Sequence, residues 1–191
     1  LLILPISLLI VVPLILMLFQ FRRSRPGVTW FVSVFTIAIA WLLILFFRLH
    51  LPEILKIGSA NAAINFPSAL YFLADKISWS FAFALMTATL ALIFTSASNL
   101  SALEADRPPW YSWPISLFLS GLGLWAILSG NINTLIFALA AFDLSWLLIM
   151  LFNAAGERLI LVTFAIRVAG LFVIIAALFI GEPGTLNQFP I

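Results

Sequence analysis

Two charged side chains lie inside apolar stretches of this sequence, and together they could form an ion pair or carry a proton. Asp143 is near the middle of the apolar segment 131–152, and Arg167 is near the middle of the segment 159–180. A charged residue at the centre of a membrane helix costs about 2.5–3.5 kcal/mol on insertion scales. Such a residue is expected to have an oppositely charged partner or a functional role. We therefore expect these two residues to carry the chemistry of the chain.

The spacing of the two residues predicts that they lie at the same depth. A short polar turn at 153–158 joins the two segments, and Asp143 and Arg167 each lie 12 residues from Ala155. At about 1.5 Å per helical residue, each is roughly 18 Å into the membrane from the turn. Two antiparallel neighbouring helices would therefore hold an acid and a base level with each other.

Two interpretations of this pair remain open. A buried carboxylate can take up and release a proton as its partner moves away, with Thr163 and Ser145 as further candidates for a proton path. Arg167 instead favours a static ion pair that locks two helices, because arginine stays protonated. Thr163, Arg167 and Gly170 share one helix face, which we expect to turn toward the fifth helix or the bundle interior.

The composition predicts the elements that must position these residues. Apolar residues make up 64% of the 191-residue chain and charged residues 8%, which is typical of a polytopic membrane protein. We predict an all-α fold, a single membrane domain over 1–191 in contact with the lipid bilayer. Its six predicted spans are approximately 1–21, 28–47, 77–97, 114–129, 131–152 and 159–180.

Basic residues predict the orientation of these spans. The densest basic cluster, RRSRPG, follows the first span and contains Arg22, Arg23 and Arg25. The positive-inside rule makes this loop cytoplasmic and places the N-terminus outside. The connection 48–74 would then lie outside, with a short interfacial helix at 51–57. At the start of the third span, Asp75 is expected to cap the helix.

Several classes of site are excluded by residue types. The chain has no cysteine, so it forms no disulfide and ligates no iron–sulfur cluster, and a single histidine, His50, supplies no bis-histidine haem site. We find no nucleotide-binding, metal-binding or hydrolase motif. A net charge of +2 is too small to indicate nucleic-acid binding. A pigment or haem ligand at His50 is a minor alternative to a solvated helix end.

Three stretches, taken in order, resemble a known family. LADKIS carries Asp75, Ile77 and Ser78 at the outer end of the third helix, and Phe142-Asp143-Leu144-Ser145 lies in the fifth. Arg167-Val168-Ala169-Gly170 lies in the sixth, followed by Gly184-Thr185. Over roughly residues 70–188 this order is similar to the antiporter-like, proton-translocating membrane subunits of complex I. Mrp-type sodium/proton antiporters and membrane-bound hydrogenases share this subunit type.

The resemblance implies a membrane-arm subunit of a complex I-like NADH:quinone oxidoreductase, in which Asp143 is the carboxylate of half a proton channel. It implies no redox chemistry on this chain, since flavin, iron–sulfur clusters and quinone would belong to partner subunits. It also implies a bacterial inner membrane or an energy-transducing organelle membrane. The chain departs from the family by having aspartate for glutamate at 143 and Gly170 where the family has an acid.

The resemblance covers only the first half of such a subunit. The later helices, including the family's broken helix with its lysine, would be supplied by another membrane subunit. Two other functions fit the same residues. One is a non-catalytic structural or assembly subunit with a static Asp143–Arg167 pair, and the other is half of an Mrp-type antiporter.

Overall fold

The computed structural model describes residues 2–20, 26–57, 70–96, 112–152 and 157–180, and these are mostly helical. The helices are α1 (Ile3–Gln20), α2 (Pro26–Phe47), α3 (Lys76–Thr95), α4 (Ser112–Ile127), α5 (Ile132–Phe152) and α6 (Glu157–Ile180). Each coincides with one predicted span to within two residues at either end. The apolar runs of the sequence therefore located the helices correctly.

Three segments of the described chain are long and apolar enough to cross a membrane: Gly27–His50, Lys76–Thr95 and Ile132–Leu151. The shorter apolar stretches are Ile3–Phe19, Ser112–Ile127 and Leu161–Ile174. The first three segments have 24, 20 and 20 residues, which is the length that a helix needs to cross a bilayer. The basic cluster at 22–25 and the tail at 181–191 lie outside the described residues, so six spans and an outer N-terminus stay predictions.

The chain divides into two compact units, and the prediction of a single domain stays a prediction. The first unit comprises Leu1–Glu53 and Ala74–Leu128. In it α1 packs against α4 and α2, and α3 packs against α2 and α4. Close approach of α1 and α4 depends on Gly121, because a Cβ at this position would lie 3.0 Å from the Leu9 Cβ.

Three indole N–H groups hydrogen bond across the interface between α2 and α3. They donate from Trp30 to the Ile93 carbonyl (3.2 Å), from Trp41 to the Thr87 hydroxyl (3.0 Å) and from Trp79 to the Ile44 carbonyl (2.7 Å). Because the three bonds lie at different heights along the pair, they fix the register of these antiparallel helices.

The second unit comprises Ile54–Leu73 and Ser129–Ile191, and in it α5 packs against α6. It also contains most of a two-stranded sheet of β1 (Glu53–Ile57) and β2 (Leu70–Ala74). The segment before α5 extends this pairing, because Ser129 bridges Phe72 and the Gly130 N–H donates to the Tyr71 carbonyl at 2.8 Å. The start of α5 is thereby fixed against β2.

The predicted interfacial helix at 51–57 is wrong, and the fold is not purely helical. A 3-10 turn, Arg48–His50, follows α2, and residues Glu53–Ile57 form strand β1. Pro52 disfavours helical geometry at the residue before it, and Leu51 is extended, with φ −75° and ψ 143°. The chain therefore leaves the helix at Leu51, and its backbone groups pair with β2 instead.

Candidate functional site

The N-terminus of α5 is closed by side chains that fix where this helix begins. Asn131 is its cap: the Asn131 Oδ1 accepts from the Thr134 backbone N–H at 2.8 Å and also from the Thr134 hydroxyl. The same hydroxyl accepts the Tyr71 N–H of β2 at 3.0 Å, and Thr134 is fully buried. Such a cap satisfies backbone donors that the first turn leaves open. The cap fixes the residue at which α5 begins and thereby the position of Asp143 along this helix.

Asp143 and Arg167 form the predicted ion pair between α5 and α6. The Arg167 guanidinium donates from one terminal nitrogen to the Asp143 Oδ1 at 2.7 Å. The arginine side chain is 32% exposed and the aspartate 20%, so the pair is neither fully buried nor open. The bond places the two residues level with each other on neighbouring helices, as the spacing around Ala155 predicts, and their depth in a membrane stays a prediction.

Two aromatic rings of α5 flank the guanidinium. The Arg167 Cζ lies 5.3 Å from the centre of the Trp146 ring and 5.9 Å from that of Phe142. Both distances are in the range of cation–π attraction. Sequence reasoning did not assign either ring to this site. Helical spacing could have placed Trp146 beside Asp143, because it lies three positions later, but it gave no such signal for the directly preceding Phe142.

A narrow recess adjoins the pair. Its lining consists of both charged residues with Trp146, Leu147, Met150, Thr163 and Phe164. The indole Nε1 of Trp146 is buried and has no hydrogen-bond partner among the residues that the structure describes. Thr163, a predicted candidate for a proton path, therefore lies beside the pair.

Two other predicted positions are not brought to this site. The Ser145 hydroxyl donates to the Ala141 carbonyl one turn earlier in its own helix, at 2.6 Å. Gly170 is exposed, and a Cβ there would meet nothing within 4 Å, so the predicted shared face of α6 ends before it. The direction of each side chain depends on how α5 and α6 pack, which the sequence spacing alone does not fix.

Asp75 and Ser78 form a capping box at the start of α3, as the sequence predicts for Asp75. The Ser78 N–H donates to the Asp75 Oδ1 at 2.6 Å, and the Asp75 N–H donates to the Ser78 hydroxyl at 2.9 Å. Hydrogen bonding from Ser78 lowers the pKa of the Asp75 carboxyl below its ordinary value of 3.8. This arrangement is sufficient to account for the Asp75/Ser78 motif as a helix start.

His50 lies at the exposed end of the 3-10 turn. Its ring packs against Phe46, with the ring centres 5.2 Å apart. Within the described ranges, no group of three or more histidine, aspartate or glutamate side chains is placed to hold a metal ion. A ligand role for His50 stays the minor alternative.

Comparison with protein-family models and with curated protein sequences finds no match for this chain. The resemblance to complex I and Mrp subunits therefore stays a prediction from the sequence.

Proposed function

We propose that this chain is a membrane-arm subunit of a complex I-like NADH:quinone oxidoreductase and contributes half of a proton-translocation channel. The observation that supports the proposal most is the Asp143–Arg167 bond. It joins the middle of α5, one of the segments long enough to cross a membrane, to the neighbouring helix α6. Ionisable residues inside membrane-spanning segments mark ion and proton pathways in many membrane proteins, which supports this proposal.

The proton-binding group in this proposal is the Asp143 carboxylate. The Arg167 guanidinium lies 2.7 Å from the Asp143 Oδ1. In the proposed cycle Asp143 takes up a proton when Arg167 moves away and releases it when the guanidinium returns. The partial exposure of the arginine side chain is compatible with such movement.

A static ion pair in a structural or assembly subunit is the second candidate function. The aromatic rings of Trp146 and Phe142 favour it, because they stabilise the guanidinium in its observed position. Arginine also stays protonated, so it supplies attraction but no proton. In this case the pair joins α5 to α6 and carries no proton.

Neutral substitutions at the pair distinguish the two functions. We expect Asp143→Asn to leave Arg167 uncompensated and to weaken assembly, by about 3–5 kcal/mol for a fully buried pair. Because 32% of the Arg167 side chain is exposed, the lower end of that range applies. The double variant Asp143→Asn, Arg167→Gln removes both charges and should restore assembly.

Proton pumping by the double variant is then measured in inverted vesicles. Assembly without pumping supports Asp143 as the proton-binding group, whereas restored pumping identifies a structural pair. Asp143→Glu is the matched control, because it keeps the carboxylate and should keep both assembly and pumping.

Mass spectrometry of the gently purified native complex tests the proposed partners. Flavin and iron–sulfur subunits would support a redox-driven pump, together with a chain that supplies the later helices. Antiporter subunits without redox partners would instead identify half of an Mrp-type antiporter. Purification of the chain alone would contradict the proposal.

A further inference from the structure

An open apolar groove runs along the C-terminal part of α2 and continues into the 3-10 turn. Arg48 lines it together with six apolar residues: Ile39, Leu42, Leu43, Leu45, Phe46 and Leu49. The groove has a volume of about 630 Å³. Leu42, Phe46 and Leu49 are each more than half exposed, at 56%, 54% and 74%. This face of α2 is therefore open to the surroundings of the protein.

The length and position of the groove fit one leaflet of a bilayer. Leu49 lies ten positions after Ile39, which corresponds to about 15 Å of helix. This is half of the roughly 30 Å hydrocarbon core of a membrane. The groove lies in the last half of Gly27–His50, a segment long enough to span that core. Its length therefore suits an acyl chain that extends from the membrane surface to the midplane.

Arg48 is held at the surface end of the groove in an orientation that can bind an anion. Its exposed guanidinium lies over the ring of Trp79, 5.0 Å from the ring centre, and Trp79 is itself fixed by its bond to the Ile44 carbonyl. A ring face attracts the charge but takes none of the N–H donors of the guanidinium. Those donors match a phosphate group in geometry and charge.

The charges around Arg48 also favour an anion. Lys76 begins the helix that carries Trp79 and is exposed. Of the acidic residues in this part of the unit, Asp75 is engaged by Ser78 and Glu53 is half-buried. The exposed side chains at this end of α2 and α3 thus present positive charge.

We propose that Arg48 and the α2 groove form a binding site for one anionic phospholipid. The guanidinium binds the phosphate of the headgroup, and one acyl chain lies along the apolar side chains from Leu49 toward Ile39. This site is independent of the Asp143–Arg167 pair and of any proton transfer. It requires only that α2 spans the membrane.

Native mass spectrometry of the full purified chain tests this site. Phosphatidylglycerol and phosphatidylcholine with identical acyl chains are added in equal amounts to the protein in detergent. We expect the wild type to retain phosphatidylglycerol preferentially. Arg48→Gln should lower the ratio of bound phosphatidylglycerol to bound phosphatidylcholine about fivefold, the effect of about 1 kcal/mol for one basic residue.

Two further variants separate the headgroup from the acyl chain. Lys76→Gln removes an exposed cation that does not line the groove, and it should lower the ratio much less than Arg48→Gln does. Leu42→Ser makes the groove wall polar at an exposed position, and it should reduce retention of both lipids without changing their ratio. Free glycerol 3-phosphate at matching concentration should not displace the bound lipid.

Four outcomes would overturn the proposal. Equal retention of both lipids by the wild type would show that no anionic site exists. An equal loss in Lys76→Gln and Arg48→Gln would indicate a diffuse basic surface. Displacement by glycerol 3-phosphate would indicate an anion site without a chain groove. A dimer without bound lipid would mean that a second copy of the chain covers the groove.

Discussion

The environment of Arg167 combines a carboxylate with two ring faces, and this combination explains why a charge is tolerated inside an apolar helix. Asp143 supplies the opposite charge, and Trp146 and Phe142 supply the negative faces of their π systems. The sequence could predict that the two charged residues lie level with each other, because each is equally far from the turn between the helices. It could not predict the aromatic contacts, because they depend on the side-chain conformation of Arg167.

Removal of the Trp146 ring should destabilise the protein. We expect Trp146→Leu to lower the free energy of unfolding by about 0.5–2 kcal/mol through loss of cation–π attraction, in addition to the loss of packing. Trp146→Phe keeps a ring face and serves as the control, so it should lose less. Chemical denaturation in detergent measures the free energy of unfolding of both variants and of the wild type. Equal losses in the two variants would assign the whole effect to packing.

Stability should also depend on pH through Asp75. Because hydrogen bonds from Ser78 lower the pKa of this carboxyl in the folded protein, its stabilisation is present above the unfolded value of 3.8. It is lost as the pH falls through the lower folded pKa. We therefore expect the difference in unfolding free energy between wild type and Asp75→Asn to shrink below pH 3.8.

Asp75→Asn is an informative reference because asparagine caps helices nearly as well and does not titrate. Asp75→Ala should cost about 0.5–2 kcal/mol at neutral pH. Circular dichroism during denaturation at several pH values measures the unfolding free energies of the wild type and of both variants. A constant difference between wild type and Asp75→Asn would contradict the role of the carboxylate.

At the scale of elements, the helices were predictable and the strands were not. Six long apolar runs predict six helices, because an apolar segment of this length satisfies its backbone hydrogen bonds internally. Strands β1 and β2 have five residues each, and their stability comes from pairing with residues distant in sequence. Only Pro52 indicated locally that the helix ends there.

The contact between α1 and α4 provides a test of helix packing. A Cβ at Gly121 would lie 3.0 Å from the Leu9 Cβ and 3.1 Å from the Leu9 carbonyl carbon, so the backbone itself must move. We expect Gly121→Val to destabilise the protein by about 1–3 kcal/mol. Gly170→Val is the matched control, because a Cβ there meets nothing within 4 Å.

Thermal unfolding in detergent compares these two variants. Gly170→Val should stay within about 0.5 kcal/mol of the wild type. If both valines cost the same, the effect belongs to the helix propensity of valine and not to the contact with Leu9.

At the scale of the whole molecule, the sequence predicts how the chain is oriented in the membrane. The described residues do not test this orientation. The predicted topology places residues 22–25 and 98–112 inside and 48–74 outside. Because the chain has no cysteine, a single introduced thiol reports the location of one position.

We expect Ser59→Cys to react with a membrane-impermeant maleimide in intact cells. Ser24→Cys and Ser101→Cys should react only after permeabilisation. Each variant acts as the control for the others, since all three thiols replace serine in connections between helices. The reverse pattern of labelling would place the N-terminus inside and contradict the positive-inside prediction.

The three tryptophan bonds between α2 and α3 have a mechanical consequence. To slide one helix along the other, all three indoles must release their acceptors together, because each is anchored at a different height. We therefore expect the two helices to move together when either of them is displaced. Ultraviolet resonance Raman bands of the indole N–H groups would report whether the three hydrogen bonds persist when one helix is displaced.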